Sequence, residues 1–362
     1  MFDTATHRPA ALPPGHRPVL AVIVDTEEEF DWTRPLSRGN RGVTAVEALE
    51  ASHEAVYDRL GLKPAYVIDH PVAATPSSAR ILRRLQDEGR CEVGTHLHPW
   101  VNPPDAEIVT STTSYAGNLP PELEHAKLSL LTDVIADAMG RRPTLYKAGR
   151  YGAGPNTSAI LHGLGYTMDA SVVPWVSFGD DGGPDYRAVP VRPYWFGPGG
   201  SLLELPLTSG FCGLLRRLGP RLHGPVTRPL GMRLHLPGIL ARSGLFERVR
   251  LSPEGCTLAE MQRLTRALLK DGVQVFTLTY HSPSVAVGHT PYVRSESQRT
   301  AFLATIRAYA TWFRDSMGGS FATPSEIRSL MLTGAAAPAA GTAAADGRAA
   351  DGGAATTTAR VA

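Results

Sequence analysis

Short apolar segments and amphipathic segments alternate along this chain from residue 19 to residue 321. The apolar segments are rich in β-branched residues, as buried strands are, and the amphipathic segments repeat apolar residues at helical spacing. Strands that alternate with helices pair in parallel through right-handed crossovers, so seven or eight such units predict an α/β fold, a (β/α)7-8 barrel. The strands are predicted at residues 19–23, 64–68, 91–95, 143–146, 166–169, 202–206 and 273–280, with a short closing strand at Phe321.

The length of the chain, 362 residues, allows two ordinary domains, but α/β barrels often exceed about 250 residues as one unit. We therefore predict a single barrel domain over residues 19–333, preceded by an N-terminal extension over residues 1–18. Residues 334–362 consist largely of Ala, Gly, Thr and Pro. Such a segment has almost nothing to bury, so it is predicted to be a disordered tail.

Residues 211–250 form a basic excursion from the alternating pattern. They contain eight arginines and a single acidic residue, Glu247. A segment of this kind could bind an anionic polymer or membrane headgroups, although a basic excursion is more often only a solvated face.

The overall composition is that of a globular protein, with 43% hydrophobic and 19% charged residues. The formal net charge of +2 gives no general attraction to nucleic acid or membranes, so no nucleic-acid partner is predicted. Cys91, Cys212 and Cys256 are too widely spaced for a disulfide framework or a CxxC metal site, and we interpret them as reduced thiols. The chain shows neither a secretory signal nor an apolar segment long enough for a transmembrane helix, which predicts a cytoplasmic protein.

Two acidic side chains follow the first predicted strand. If the extended backbone continues, Asp25 and Glu27 point to the same face because side chains alternate along a strand. Paired carboxylates at a strand end suggest a role in catalysis. Glu28 and Glu29, in contrast, are predicted to belong to a solvated acidic loop.

Polar side chains also follow the other predicted strands. The residues after parallel barrel strands line one mouth of the barrel, so these side chains are expected to share one pocket. The set comprises Asp25, Glu27, Asp69, His96, His98, Arg150, Asp169 and His281.

His96 and His98 are two residues apart at a strand end, so both imidazoles can face the same side. With one carboxylate they would complete the three ligands of an open catalytic metal site, for which zinc is the best match. The alternative is that one of them only hydrogen-bonds a loop carbonyl. His281 suits a proton donor, or a structural role in a polar turn. Arg150 and Asp169 could orient reacting groups, or could form buried ion pairs only.

Four motifs together resemble those of the polysaccharide deacetylases with NodB homology, and most closely the WalW-like branch. They are Asp25-Thr26-Glu27, Gly94-Thr95-His96-Leu97-His98-Pro99-Trp100, Lys147-Ala148-Gly149-Arg150-Tyr151-Gly152 and Thr279-Tyr280-His281-Ser282-Pro283-Ser284. The likeness extends from about Val19 to Leu330. It implies a distorted (β/α) barrel, a divalent metal ion, and hydrolysis of an N-acetyl or O-acetyl group on a sugar polymer.

The resemblance also implies a role for individual residues. Asp25 would be the general base, Glu27 and His96 metal ligands, His281 the general acid, and Arg150 the arginine that braces the base. The family usually has two adjacent aspartates and two histidines four apart. Here Thr26 separates the two acids and position 100 is a tryptophan, so His98 would supply the remaining ligand. The residues expected to contact substrate are Asp69, Trp100, Tyr151 and Asp169.

The function predicted from these residues is metal-dependent removal of an acetyl group from a carbohydrate. Without a signal sequence, a nucleotide- or lipid-linked sugar or a glycan precursor is a better match than a finished cell-wall polymer. Two alternatives remain: a hydrolase of another amide on the same scaffold, and a non-catalytic carbohydrate-binding protein. No sequence pattern specifies an oligomeric state.

Overall fold

A curled parallel sheet forms the centre of the protein, as seen in a computed structural model that describes residues 4–31 and 33–336. Seven strands pair in parallel in the order β11-β2-β3-β4-β5-β6-β8, and β12 pairs with the start of β2. These strands are β2 (Val19–Thr26), β3 (Ala65–Ile68), β4 (Glu92–Leu97), β5 (Leu145–Ala148), β6 (Met168–Asp169), β8 (Leu202–Glu204), β11 (Val275–His281) and β12 (Ser320–Phe321).

Two short strands extend the sheet beyond β8 in the antiparallel direction. They are β1 (Arg8–Pro9), from the predicted N-terminal extension, and β7 (Tyr194–Phe196). Between β8 and β11 no regular strand ladder forms, and Thr208 bridges to Thr277 of β11 instead. The main-chain N–H of Thr208 donates to Thr277 O at 3.3 Å, and Thr208 Oγ1 accepts from Thr277 N at 2.8 Å. The predicted α/β barrel is therefore confirmed, and this irregular seam is where it is distorted.

The helices are α1 (Leu49–Val56), α2 (His70–Ala74), α3 (Pro76–Asp87), α4 (Pro121–Met139), α5 (Thr157–Gly163), α6 (Gly219–Thr227), α7 (Pro229–Arg233), α8 (Leu236–Arg242), α9 (Leu258–Lys270), α10 (Glu296–Asp315) and α11 (Pro324–Ala336). Leucine and isoleucine side chains of α1, α3, α4, α9 and α10 pack against the outer face of the sheet. None of the described helices is long and apolar enough to cross a membrane. The last helix ends three residues beyond the predicted domain boundary at 333, and residues 337–362 of the predicted tail lie outside the described part of the chain.

Alternation along β2 determines which side chains face the barrel interior. Val19, Ala21 and Ile23 belong to the inner cluster, whereas Leu20, Val22 and Val24 pack against the helices. All eight residues of β2 are buried because it is paired on both edges. Asp25 continues the inward-facing alternation of Val19, Ala21 and Ile23, and it is the register partner of His281 in the parallel pair of β2 and β11. The predicted direction of Asp25 therefore follows from the strand period.

The basic excursion combines strands and helices: β9 (Ser209–Cys212) and β10 (Glu247–Arg250) form an antiparallel pair that encloses α6, α7 and α8. Thr44 donates its hydroxyl proton to Glu29 Oε1 at 2.8 Å. The cysteines are unpaired by disulfides, as predicted.

Candidate active site

A cavity of about 430 Å³ opens at the carboxyl ends of the parallel strands. It brings together the polar side chains that follow β2, β4, β5 and β11, surrounded by aromatic rings. Its lining comprises Asp25, Glu27, Phe30, Leu36, His96, His98, Trp100, Tyr115, Arg150, Tyr151, Phe178, Asp181, Arg250, His281 and Tyr292. We call it the site cavity.

Glu27, His96 and His98 converge at the base of the site cavity. The two Nε2 atoms of the histidines lie 3.0 Å apart, and Glu27 Oε2 lies 3.5 Å from His96 Nε2 and 3.4 Å from His98 Nε2. All three side chains are about 2% exposed. Each offers one ligand atom to a common point, which is the arrangement of three protein ligands around an open metal position.

The protonation of the two histidines tests whether a cation fits here. His96 Nδ1 must carry a proton because it donates to the Lys147 carbonyl at 2.9 Å, and His98 Nδ1 donates to the Glu28 carboxylate at 2.7 Å. Their Nε2 atoms are then lone-pair acceptors that face each other and Glu27, whose buried Oε1 has no hydrogen-bond partner within residues 4–31 and 33–336. When Glu27 is ionised, three acceptors converge without a donor, and they repel one another unless a cation lies between them. The residues therefore fit a divalent metal ion.

Burial also shifts the pKa values of these three groups toward their neutral forms. Burial, reinforced by Glu28 and Asp25, raises the pKa of Glu27 well above its usual range. Burial lowers the pKa of His98 to about 4 and that of His96 well below its ordinary value. Neutral imidazoles are the forms that ligate a metal, whereas Glu27 ligates one only after it has lost its proton.

The backbone near His98 is built for close packing. Gly149 lies directly against this ring, where a Cβ atom would come within 2.2 Å of His98 Cδ2. Trp100 stacks on the other side with ring centroids 4.2 Å apart and donates its indole N–H to Glu28 Oε1 at 2.7 Å. Glu28 is fully buried and holds His98 in this orientation, so the prediction of a solvated loop was wrong for Glu28.

Asp25 is held by a lysine. Lys147 Nζ donates to both carboxylate oxygens, at 2.5 and 2.6 Å, and to Thr279 Oγ1 at 3.0 Å. Burial alone would raise the pKa of Asp25, but the Lys147 ammonium, with smaller effects of His96 and His281, outweighs burial, so the pKa lies below its ordinary value. Asp25 is therefore an ionised carboxylate that can accept a proton.

His281 has the opposite electrostatic setting. Its Nδ1 lies 2.7 Å from Glu254 Oε2, and its main-chain N–H donates to Glu254 Oε1 at 3.1 Å. Burial would lower the pKa of His281, but Glu254 outweighs burial and raises it above the ordinary value. The other ring nitrogen, Nε2, faces Asp25 Oδ2 at 3.8 Å. His281 can therefore hold a proton for donation into the site cavity.

Arg150 does not brace Asp25, contrary to what the resemblance implied. Its guanidinium donates to Ser114 Oγ at 2.5 Å, lies 3.1 Å from Asp181 Oδ2, and stacks over the Tyr115 ring. It still lines the site cavity, but Lys147 has the position next to the carboxylate. The sequence contained Lys147 at a strand end, in the same motif as Arg150, and strand alternation could have placed it facing inward.

Asp69 and Asp169 were expected to contact substrate, and the structure contradicts both expectations. Asp69 is fully buried and accepts from the main-chain N–H groups of Val72 and Glu28, at 2.9 and 2.6 Å. Asp169 is also fully buried and accepts from Ser171. Short acidic side chains at strand ends readily satisfy nearby backbone and hydroxyl donors, and here both do.

The other two residues predicted to contact substrate lie in the lining of the site cavity. Trp100 and Tyr151 form part of its wall, and Tyr151 has a left-handed backbone with φ of 61°. Arg250, from the end of β10, was missed among the candidates because it appeared only as part of the basic excursion. Its guanidinium donates to Tyr151 Oη at 3.4 Å.

The sequence matches no known family model and no curated protein. Solved structures do match. A protein assigned as a glycoside hydrolase/deacetylase from Parabacteroides distasonis aligns with a TM-score of 0.57 and 13% identity over 89% of this chain and 72% of that one. A protein assigned as a polysaccharide deacetylase from Mycobacterium smegmatis aligns with a TM-score of 0.53 and 16% identity, over 90% and 94%. The PuuE allantoinase aligns with a TM-score of 0.52 and 14% identity, over 92% and 96%.

These identities are low, so what the alignments establish is the architecture. The resemblance predicted from the four motifs is confirmed in the fold: this chain has the distorted (β/α) barrel of solved polysaccharide deacetylases.

Proposed function

We propose that this protein is a metal-dependent hydrolase that removes an acetyl group, N-linked or O-linked, from a carbohydrate or glycan precursor. One observation carries the proposal: three converging metal-ligand atoms lie in the same cavity as an ionised carboxylate and a histidine whose pKa is raised. This combination supplies a proton acceptor and a proton donor in the same cavity as a metal position.

Glu27, His96 and His98 would hold one divalent ion, and zinc suits a set of two imidazoles and one carboxylate. When bound, such an ion lowers the pKa of water from about 15.7 toward about 7 and polarises a carbonyl group. The WalW-like assignment and a cytoplasmic location belong to the same proposal. The location is supported by the three cysteines without disulfides.

The protein's own groups move the protons. Asp25 accepts the proton of the attacking water at its carboxylate, and Lys147 keeps that carboxylate ionised and fixed in place. His281 then donates its Nε2 proton to the departing nitrogen or oxygen of the sugar, and Glu254 stabilises the protonated ring beforehand. Positioned proton transfers of this kind contribute roughly 100- to 10,000-fold each in rate.

The aromatic wall of the site cavity supports a sugar substrate. Tyr151, Phe178 and Tyr292 line the cavity with aromatic rings beside polar groups, and the cavity size is that of small-molecule sites generally. Hydrolysis of another amide on the same scaffold is the second candidate, since the PuuE allantoinase shares the fold. The TM-score with the allantoinase is 0.52, and that with the M. smegmatis protein is 0.53.

The test combines metal content with product analysis. Purified protein should carry about one divalent ion per chain and release acetate from acetylated amino sugars or O-acetylated sugars, but not hydrolyse a panel of cyclic and linear small amides. His96→Ala should lose both metal and activity. His125→Ala, which removes an exposed histidine of α4, is the matched control and should keep both.

Three results would count against the proposal in different ways. Full metal occupancy in His96→Ala would refute the ligand assignment. Hydrolysis of the small amides without acetate release would favour the second candidate. A metal-free protein that binds acetylated sugars without turnover would indicate a carbohydrate-binding protein.

A further inference from the structure

The segment between β9 and β10 exposes an unusual amount of apolar surface. We call residues 213–246 the helical insertion; it contains α6, α7 and α8. Of the ten large apolar side chains that are exposed in the described part of the chain, seven belong to it. They are Leu214, Leu215, Leu218, Leu230, Met232, Leu234 and Ile239.

The exposed leucines are not needed for the insertion's own core. Among its large apolar side chains, only Val226 and Phe246 are buried. Phe246 stacks on Phe211 of β9 with ring centroids 5.2 Å apart, and this stack fixes the insertion to the barrel. Leu214 and Leu230, by contrast, are 84% and 69% exposed. A contiguous segment with this much exposed apolar surface marks an interaction site.

The charge of the helical insertion has one sign. It contains six arginines and no aspartate or glutamate. Arg216 is half-buried and pairs with Asp271 outside the insertion, whereas the other five are exposed and form no ion pair within residues 4–31 and 33–336. Those five are Arg217, Arg221, Arg228, Arg233 and Arg242.

We propose that the helical insertion docks the protein on an anionic phospholipid surface. Arginines would contact the headgroup phosphates while the exposed leucine, methionine and isoleucine side chains enter the interfacial region, as amphipathic surface elements do. An anionic membrane surface is the partner that satisfies both features. A soluble anionic polymer leaves the apolar side chains in water, and a second copy of the same face would bring like charges together.

Docking through this element would bring the site cavity close to the lipid surface. The insertion is joined to the cavity by β10, a strand of four residues that ends at Arg250 in the cavity wall. At about 3.3 Å per residue, Arg250 is within about 15 Å of the insertion along the strand. The proposal does not depend on the reaction catalysed, because it rests on surface residues alone.

Vesicle flotation of the full chain at physiological ionic strength tests the proposal. Wild-type protein should float with vesicles of equal parts phosphatidylglycerol and phosphatidylcholine, and much less with phosphatidylcholine alone. The double variant Arg228→Gln/Arg233→Gln should partition about 30-fold more weakly, since each basic residue near such a surface contributes about fivefold. Leu230→Gln/Met232→Gln should weaken partitioning by at least about tenfold, because two apolar side chains no longer enter the interface.

A charge-matched control separates this surface from general electrostatic attraction. Arg59→Gln/Arg80→Gln removes two exposed arginines of the barrel and should float like wild type. All variants should unfold at the wild-type temperature, because the substituted side chains are exposed. Failure of wild type to float, equal loss in the control variant, or flotation unaffected by the leucine and methionine changes would each overturn the proposal. Dimerisation that Leu230→Gln/Met232→Gln abolishes, without vesicle binding, would overturn it in favour of a second copy.

Discussion

Replacing Lys147 by methionine tests whether one buried cation controls the ionisation of Asp25. Lys147 and Asp25 are 0% and 3% exposed in their side chains, and Lys147 Nζ reaches both carboxylate oxygens. Methionine keeps the length and most of the volume of the lysine but removes its charge. The carboxylate would then be buried beside His96 and His281 without its main counter-ion.

The expected loss of stability depends on whether Asp25 stays ionised or becomes protonated in the variant. Removing one partner of a buried ion pair typically costs about 3–5 kcal/mol. Asp25 can avoid being a buried unpaired charge by taking up a proton. Protonating an aspartate of ordinary pKa at pH 7 costs about 4 kcal/mol, at about 1.36 kcal/mol per pH unit. The two estimates agree, so Lys147→Met should lower the free energy of unfolding at neutral pH by about 3–4 kcal/mol.

The sign of the pH dependence distinguishes this cause from lost packing. In wild type the pKa of Asp25 lies below its ordinary value, so its contribution to stability is present above the ordinary pKa and lost as pH falls. In Lys147→Met, burial would raise the folded pKa instead, so stability should fall as pH rises above about 4. The difference between the two proteins should therefore shrink toward acid pH.

Urea unfolding across pH in the presence of a chelator measures this directly, and Asp25→Asn/Lys147→Met completes a double-mutant cycle. The double variant should lose less than the sum of the single variants. Lys127→Met is the control, because Lys127 is equally buried but donates to the carbonyl oxygens of Pro99 and Asn102 and pairs with Glu107 rather than with Asp25. It should lose stability without moving the acid limb of the pH–rate profile, whereas Lys147→Met should move that limb to higher pH. A constant stability difference across pH and an unmoved limb would refute the reasoning.

The other predictions concern single carboxyl groups. Asp25→Asn should keep the metal and lose most of kcat, whereas Glu27→Gln should lower metal affinity and recover activity in excess metal. Metal content and acetate release, measured in a metal titration, check both variants. The reverse pattern would exchange the roles of the two residues. Glu254→Gln should lower the pKa of His281 and move the alkaline limb of the pH–rate profile to lower pH; an unmoved limb would show that Glu254 acts only through geometry. Burial raises the pKa of Glu124 from 4.5 to about 7, so wild-type unfolding free energy should fall by about 3 kcal/mol between those pH values. Urea titrations should show that Glu124→Gln lacks this fall, and parallel curves would contradict it.

Local periodicity was enough to predict the barrel and the direction of the metal-ligand candidates. Asp25 continues the inward set of β2, and His96 and His98 are two residues apart where β4 ends, so strand geometry alone brings them to one mouth. The positions of the parallel strands followed from the same signal, whereas β1, β7, β9 and β10 were not predicted. The irregular seam at Thr208 did not, because it depends on a side chain that replaces a ladder hydrogen bond.

Which groups pair with the catalytic candidates could not be predicted in this way. Strand alternation directs Lys147 inward but does not pair it with Asp25, 122 residues away in sequence, and Glu254 is 27 residues from His281 in a turn without a motif of its own. Glu28 belongs to an acidic run that resembles a solvated loop, yet the chain folds it beneath His98 and Trp100. Such contacts depend on tertiary packing rather than on spacing.

Two buried ion pairs assign opposite proton-transfer roles to neighbouring groups. Lys147 lowers the pKa of Asp25 and Glu254 raises that of His281, although burial acts against both shifts. The facing atoms of Asp25 and His281 are only 3.8 Å apart, so without these partners the two groups would titrate mainly against each other. Because each has its own counter-ion, the carboxylate stays ionised and the imidazole stays protonated over the same pH range. An acid and a base can therefore coexist in one cavity, which is the condition that stepwise hydrolysis requires.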